Sequence, residues 1–197
     1  MIEEILKLDS QLFLFLNNLG SPTFDNFWIY LSYKESNILF YLALLIFYFF
    51  SESKKIKLTE VFYSLFFIAI MIAIADQTAN LFKDSFQRLR PCYNESLISF
   101  VRLVNESCGG KYGFFSAHAS NSFSLAVFFG LLFKNKFRFI IYMTLFYASL
   151  ISFSRIYLGV HFPLDIFFGG VYGIITGLVI FRIYENRLNF FKFLNKS

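Results

Sequence analysis

The stretch L-T-E-V-F-Y-S-L-F-F-I-A-I-M-I-A-I-A-D-Q-T-A-N-L-F, Leu58 to Phe82, decides the fold. Wound as a helix at about 1.5 Å per residue, it is long and apolar enough to cross a hydrocarbon layer of about 30 Å. Working outward, similar apolar runs lie at Ser36–Phe50, Ala117–Phe133, Phe137–Ser154 and Phe162–Tyr184. The first is short and either borrows from Phe24–Tyr33 or leaves that stretch as a sixth span, with Lys34 and Glu35 between them. Ahead of these, Ile2, Ile5, Leu6, Leu12, Phe13, Phe15, Leu16 and Leu19 recur at near-helical spacing among polar residues, as in a helix lying in the membrane interface; Gly20-Ser21-Pro22 ends it. The expectation is an all-α integral membrane bundle of five to six transmembrane helices with an N-terminal amphipathic interfacial helix.

Composition agrees. Of 197 residues 57% are apolar and only 16% charged, where a soluble domain carries about a quarter. The length suits one membrane domain, 1–197, with an interfacial region 1–34, a core 58–184 and a tail 185–197. The net charge of +5 could suggest nucleic acid, but the basic residues are scattered through short connecting segments, so no nucleic-acid partner is expected. The acidic start M-I-E-E-I-L-K-L-D lacks the marks of a removable signal peptide.

Span ends must alternate between the two membrane faces. One face collects Ser51–Lys57, Lys134–Arg138 and the tail with Arg182, Arg187, Lys192 and Lys196. The other collects Lys83–Ser116, the turn Arg155–His161 and the N-terminus. Enrichment of Lys and Arg marks the first face as cytoplasmic. The second holds Lys83, Arg88, Arg90, Arg102, Lys111 and Arg155, several of which have a chemical task argued below. Both cysteines, Cys92 and Cys108, fall on that outer face, either as free thiols or as a disulfide closing a loop of about 17 residues and worth about 3 kcal/mol.

A lone Lys or Arg ending a span is ordinarily a snorkelling anchor. Here such residues cluster: Lys83, Arg90, Ser116, His118, Arg155, His161 and Asp165 all converge on the outer face, and they include both histidines of the chain. Lys83, Arg90 and Arg155 make a cationic clamp for phosphate oxygens. Ser116 caps a span whose first N–H groups face an anion. If the last helix starts at His161, with Pro163 tolerated in its first turn, His161 and Asp165 share a face and the carboxylate holds one ring nitrogen. The other nitrogen is then a nucleophile, and His118 can protonate a departing oxygen. No metal and no cofactor are expected, since the clamp already supplies the positive charge. Asp76, inside a span, is either a functional acid or a structural partner. Gly169, Gly173 and Gly177 form a small-residue seam for close helix packing.

These residues resemble the three-part signature of the type 2 phosphatidic acid phosphatase family, membrane lipid phosphatases that share their site with soluble vanadium haloperoxidases. K-D-S-F-Q-R-L-R-P, Lys83 to Pro91, and S-R-I-Y-L-G-V-H-F-P-L-D, Ser154 to Asp165, match its first and third motifs. F-S-A-H, Phe115 to His118, departs from the second, with Phe115 for proline and Ala117 for glycine. The resemblance implies that Lys83, Arg90 and Arg155 bind phosphate, assisted by Ser116 and the Ala117 backbone N–H. It further implies His118 as proton donor, His161 as nucleophile and Asp165 as its orienter. The implied protein is a bacterial inner-membrane enzyme with its site facing outward, acting on a lipid phosphate within the bilayer. Small members most commonly hydrolyse undecaprenyl diphosphate to the monophosphate; lipid A, phosphatidic acid and phosphatidylglycerophosphate are alternatives, and a non-catalytic lipid-phosphate binder or transporter is the rival of another class.

Overall fold

The computed structural model of the chain describes residues 1–51, 58–104 and 107–194, with side chains to residue 187. It contains α1 (Ile2–Asn18), α2 (Asp25–Ser32), α3 (Lys34–Ser51), α4 (Leu58–Phe86), α5 (Ala117–Leu132), α6 (Ile140–Tyr157) and α7 (Pro163–Leu194). Helices α3, α4, α6 and α7 are each long and apolar enough to cross a membrane, and α5 is a shorter apolar helix of 16 residues. The molecule is an all-α membrane bundle.

The choice between five and six spans resolves at Tyr33, where ψ turns to 138° and breaks the chain between α2 and α3. The carbonyls freed at the end of α2 are taken by side chains of α3: Ser36 Oγ donates to Tyr30 and Tyr33 at 2.6 and 2.9 Å, and Asn37 Nδ2 to Leu31 and Tyr33 at 3.2 and 2.8 Å. With eight residues α2 is far too short to cross. It packs instead on α6, Trp28 stacking on Tyr157 with ring centroids 5.2 Å apart.

Helix α5 is the hub, buried among α3, α4, α6 and α7 through Phe128, Phe129 and their neighbours. Its serines meet the predicted glycine seam. A Cβ on Gly169 or Gly177 would stand 2.6 or 2.7 Å from the carbonyl oxygens of Ser116 and Ser124, and one on Gly173 would overlap that of Ser120. Only hydrogen at these three positions lets the backbones touch, which fixes the start of α5 against the start of α7. The outward faces carry Leu39, Phe62, Phe66, Phe146, Ile175 and Val179, as a lipid environment requires.

Helix α1 is the predicted amphipathic helix, but its anchor is polar. Asp9, Phe13 and Asn17, four apart, are buried, whereas Ile2, Ile5, Leu8, Leu12 and Phe15 face outward. Asn17 is completely buried: its amide donates to the carbonyls of Arg102, Ile156 and Tyr157 and its oxygen accepts from Arg102 N at 2.7 Å. At the far end of the bundle Lys134 pairs with Glu185 at 2.6 Å. Helix α7 continues to Leu194, through most of the segment predicted as a tail. Of the basic residues assigned to the cytoplasmic face, those within 52–57 and Lys196 lie outside the described residues, as does the side chain of Lys192.

Candidate active site

The turn between α6 and α7 is set by Gly159. It adopts φ +81°, Val160 N bonds back to Arg155 O at 3.1 Å and Gly159 N to Ile156 O at 3.0 Å, the paired bonds that end a helix in a left-handed residue. A Cβ here would come within 2.8 Å of Arg102 O. The chain reverses at once and presents His161. Helix α7 then starts at Pro163, one residue after the predicted apolar run and two after His161, because proline fits the first helical position, where no N–H partner exists. His161 is therefore held from the helix end: Asp165 Oδ2 accepts from Phe162 N at 3.0 Å and lies 3.3 Å from His161 Nδ1. Both side chains are buried.

Lys83 closes α4, its Nζ 3.4 Å from Asn80 Oδ1. A short antiparallel bridge between Leu89 and Tyr112 then brings Arg90 beside Gly113. The Arg90 guanidinium is gripped by backbone: Nη1 donates to Cys108 O at 2.7 Å and Nε to Tyr112 O at 3.2 Å. Cys92 and Cys108 form a disulfide that packs on Tyr157, Leu158 and Val160, over the α6–α7 turn.

Ser116 is the N-cap of α5, its Oγ 3.4 Å from Ala119 N; it is fully buried and does not line the cavity described below. Ala117 and His118 do line it. Ala117 is the first helical residue and has no positive φ, so the site does not demand glycine there. Phe115 packs against Phe82 and Tyr172.

These elements surround a cavity of about 520 Å³ with three tiers. At its polar end stand Lys34, Lys83, Arg90, Arg155, His118 and His161. Asn37, Asp76, Asn80 and Asn121 form a polar collar, and below it Ile38, Leu42, Leu45, Leu65, Ile68 and Ile72 line a gallery between α3 and α4. Arg155 is aimed by a hydrogen bond from Nη1 to Ser32 Oγ. Burial first, then Arg90, Arg155 and Lys83, hold His161 well below the usual imidazole range, leaving it neutral. A neutral imidazole whose Nδ1 faces a carboxylate has its Nε2 lone pair free.

The profile of the PAP2 superfamily matches residues 64–189. The chain belongs to the PAP2 superfamily. Among relatives of this superfamily member, the lipid A 4'-phosphatase of Porphyromonas gingivalis is 35% identical over 186 residues, covering 93% of this chain and 75% of the relative. That of Bacteroides thetaiotaomicron is 35% identical over 185 residues, covering 93% and 80%. Aquifex aeolicus LpxE superposes with a TM-score of 0.64 at 30% identity, covering 87% of this chain and 93% of that one. A PAP2-type phosphatidylglycerolphosphate phosphatase of Bacillus subtilis superposes at 0.70 with 17% identity, over 93% and 87%, and shows the shared fold.

Of the residues predicted from sequence, Lys83, Arg90, Ala117, His118, Arg155 and His161 line this one cavity, with Asp165 against His161 and Ser116 buried at the start of α5, and the structure adds three residues that sequence reasoning left out. Arg88 donates Nη1 to Asp165 Oδ1 at 2.8 Å and Nη2 to Asp9 Oδ2 at 2.5 Å, and covers the Phe162 ring at 4.3 Å. Asp9 Oδ1 accepts from Leu164 N at 2.9 Å, capping α7 from α1. Lys34 is a fourth cation at the cavity. Arg88 carried a signal, sitting two residues before Arg90 on the face with the cations; Asp9 carried none.

Proposed function

We propose that this protein is a membrane lipid phosphatase that removes a phosphate group from a lipid of the lipid A type. The observation that carries the reading is the cavity itself: a neutral histidine and a clamp of cations at one end, opening into an apolar gallery between two membrane helices. A lipid can place its phosphate in the first while its chains occupy the second. The expectation of undecaprenyl diphosphate rested on the family's commonest small members; the named relatives favour the lipid A alternative.

Phosphate oxygens sit among Lys83, Arg90 and Arg155, with the Ala117 N–H at the start of α5. His161 Nε2 attacks phosphorus; an N–P bond forms as the P–O bond to the lipid breaks, and His118, which can hold a proton once the bound phosphate offsets the surrounding cations, gives that proton to the leaving alkoxide. Water then attacks the phosphohistidine, His118 takes its proton, the N–P bond breaks and orthophosphate leaves. Asp165 fixes the tautomer and orientation of His161. Ser116 acts by capping α5. The dianion brought by the substrate offsets the surrounding cations, and no metal is needed for that charge stabilisation. Residues 58–184 supply the chemistry and 1–34 brace it. A bacterial inner-membrane location with the site outward is supported by the disulfide on the site's face and by Lys134 and Lys136 at the opposite end.

The experiment is release of phosphate by purified protein, with chelator present, from lipid A, undecaprenyl diphosphate and phosphatidate, the products read by mass. The expected result is turnover of lipid A that His161→Ala abolishes. Wild type as inert as His161→Ala on every lipid would leave the binder or transporter reading standing instead.

A further inference from the structure

Asp76 lies in α4 seven residues before Lys83, about 10 Å deeper into the bundle by helix rise. A carboxylate at that depth needs a reason. It lines the cavity, and among the described residues its one hydrogen bond is from Asn121 Nδ2 to Oδ1 at 2.7 Å, leaving its second oxygen without a protein donor. Asn121 also lines the cavity, and its own Oδ1 is buried without a partner. The pair thus joins α4 to α5 yet holds more acceptors than the protein satisfies. Unmet acceptors in a low-dielectric site are costly unless water or a ligand supplies donors, and a lipid that fills the cavity and displaces its water must supply them itself. A second phosphate cannot do so, because the carboxylate repels it.

We propose that Asp76, oriented by Asn121, is a specificity-determining residue that accepts hydrogen bonds from N–H or O–H groups in the linkage region of the substrate, one tier below its phosphate. The proposal rests on the lipid phosphatase reading and narrows it. An acylated amino sugar phosphate, with amide-linked and hydroxylated acyl chains, offers such donors there. A diacylglycerol phosphate offers only ester carbonyls at that level, and a polyprenyl chain offers nothing.

The test uses Asp76→Asn in the full-length protein in lipid–detergent micelles. The asparagine carbonyl still accepts from Asn121, so the tie between α4 and α5 survives, while the ligand-facing end changes from acceptor to donor. We expect kcat/KM on lipid A to fall about ten- to a hundredfold, as for a charged hydrogen bond lost in a desolvated site, with phosphatidate turnover within about twofold of wild type. Phosphatidate turnover also reports that the variant is folded. An equal fall on both lipids would assign Asp76 a structural or general catalytic role and overturn the proposal, as would no change on either. Wild type that cleaves phosphatidate but not lipid A overturns the proposal and the choice of lipid A while leaving a lipid phosphatase; wild type inert on all lipids removes the phosphatase reading as well.

Discussion

Asp9 of α1 and Asp165 of α7 are held by opposite prongs of one guanidinium, that of Arg88, at 2.5 and 2.8 Å. Both carboxylates are almost wholly withdrawn from solvent, with side-chain exposures of 3% and 0%. One cation for two anions leaves a negative remainder, which the first turn of α7 takes up: Leu164 N donates to Asp9 and Phe162 N to Asp165. Burial outweighs Arg88 at Asp9 and raises its pKa above the usual carboxylate value. The orienter of the histidine is thereby tied to a helix at the other end of the chain.

Removing Arg88 strands two buried charges. Arg88→Leu should destabilise the protein by about 3–5 kcal/mol. Asp9→Asn is the gentler probe, because its amide oxygen still accepts from Leu164 N while its Nδ2 now meets the guanidinium. The expected outcome is a lower melting temperature and a roughly tenfold fall in kcat with KM little changed, since Asp9 touches no substrate. A kcat equal to wild type would show that α1 braces the fold and not the histidine.

The state of His161 fixes a second expectation. Burial and three nearby cations depress its pKa from the usual value of 6.5. Below pH 6.5 an unfolded chain takes up a proton that the native state refuses, so the group costs nothing above that pH and lowers stability progressively as pH falls beneath it. The chain has two histidines, so His118→Gln leaves one imidazole to follow by nitrogen NMR. That resonance should stay neutral on acidification past pH 6.5; a midpoint at or above 6.5 would sink the idea.

The disulfide reaches the chemistry through one carbonyl, Cys108 O, which holds Arg90 Nη1. Replacing both cysteines by serine removes about 3 kcal/mol of loop restraint. More tellingly, it loosens the segment that aims Arg90. Orthovanadate, which mimics the transferred phosphoryl group, should bind about tenfold more weakly, and KM should rise more than kcat falls. Unchanged vanadate affinity in the double variant would mean that the hairpin around Leu89 and Tyr112 suffices to place Arg90.

The candidate site residues stood out because Lys83, Arg90, His118, Arg155, His161 and Asp165 are types that lipid tolerates poorly, clustered at the ends of apolar runs. What hydropathy could not read was set by partners distant in sequence. The break at Tyr33 depends on Ser36 and Asn37 turning back onto α2. Whether α7 includes His161 could not be read from the apolar run Phe162–Tyr184, because cap geometry, not apolar content, decides a helix end, and the helix starts at Pro163. Arg88 was visible as a cation, but its meaning required Asp9, and nothing local to either residue announces their meeting. The serine stripe that receives Gly169, Gly173 and Gly177 was likewise hidden, since serines in a membrane helix read as ordinary small residues until the facing helix is known.

That seam supplies the last prediction. Gly173 meets Ser120 backbone so closely that even one methyl group would overlap its carbonyl oxygen, and the obstacle is main chain, which cannot swing aside. Gly173→Ala must therefore push α5 and α7 apart, at a cost of at least about 1–3 kcal/mol. The same movement separates Ala117 and His118, at the start of α5, from His161 and Asp165, at the start of α7. Displacements of about 1 Å in such a site cost about a hundredfold in rate. Gly110→Ala, where a Cβ would meet nothing within 4 Å, is the matched control and should behave as wild type. Thermal unfolding and phosphate release on both variants make the check: Gly173→Ala should lose more activity than its stability loss explains at a temperature where it remains folded, and activity preserved in folded Gly173→Ala would show that the two halves of the site do not depend on the seam for their spacing.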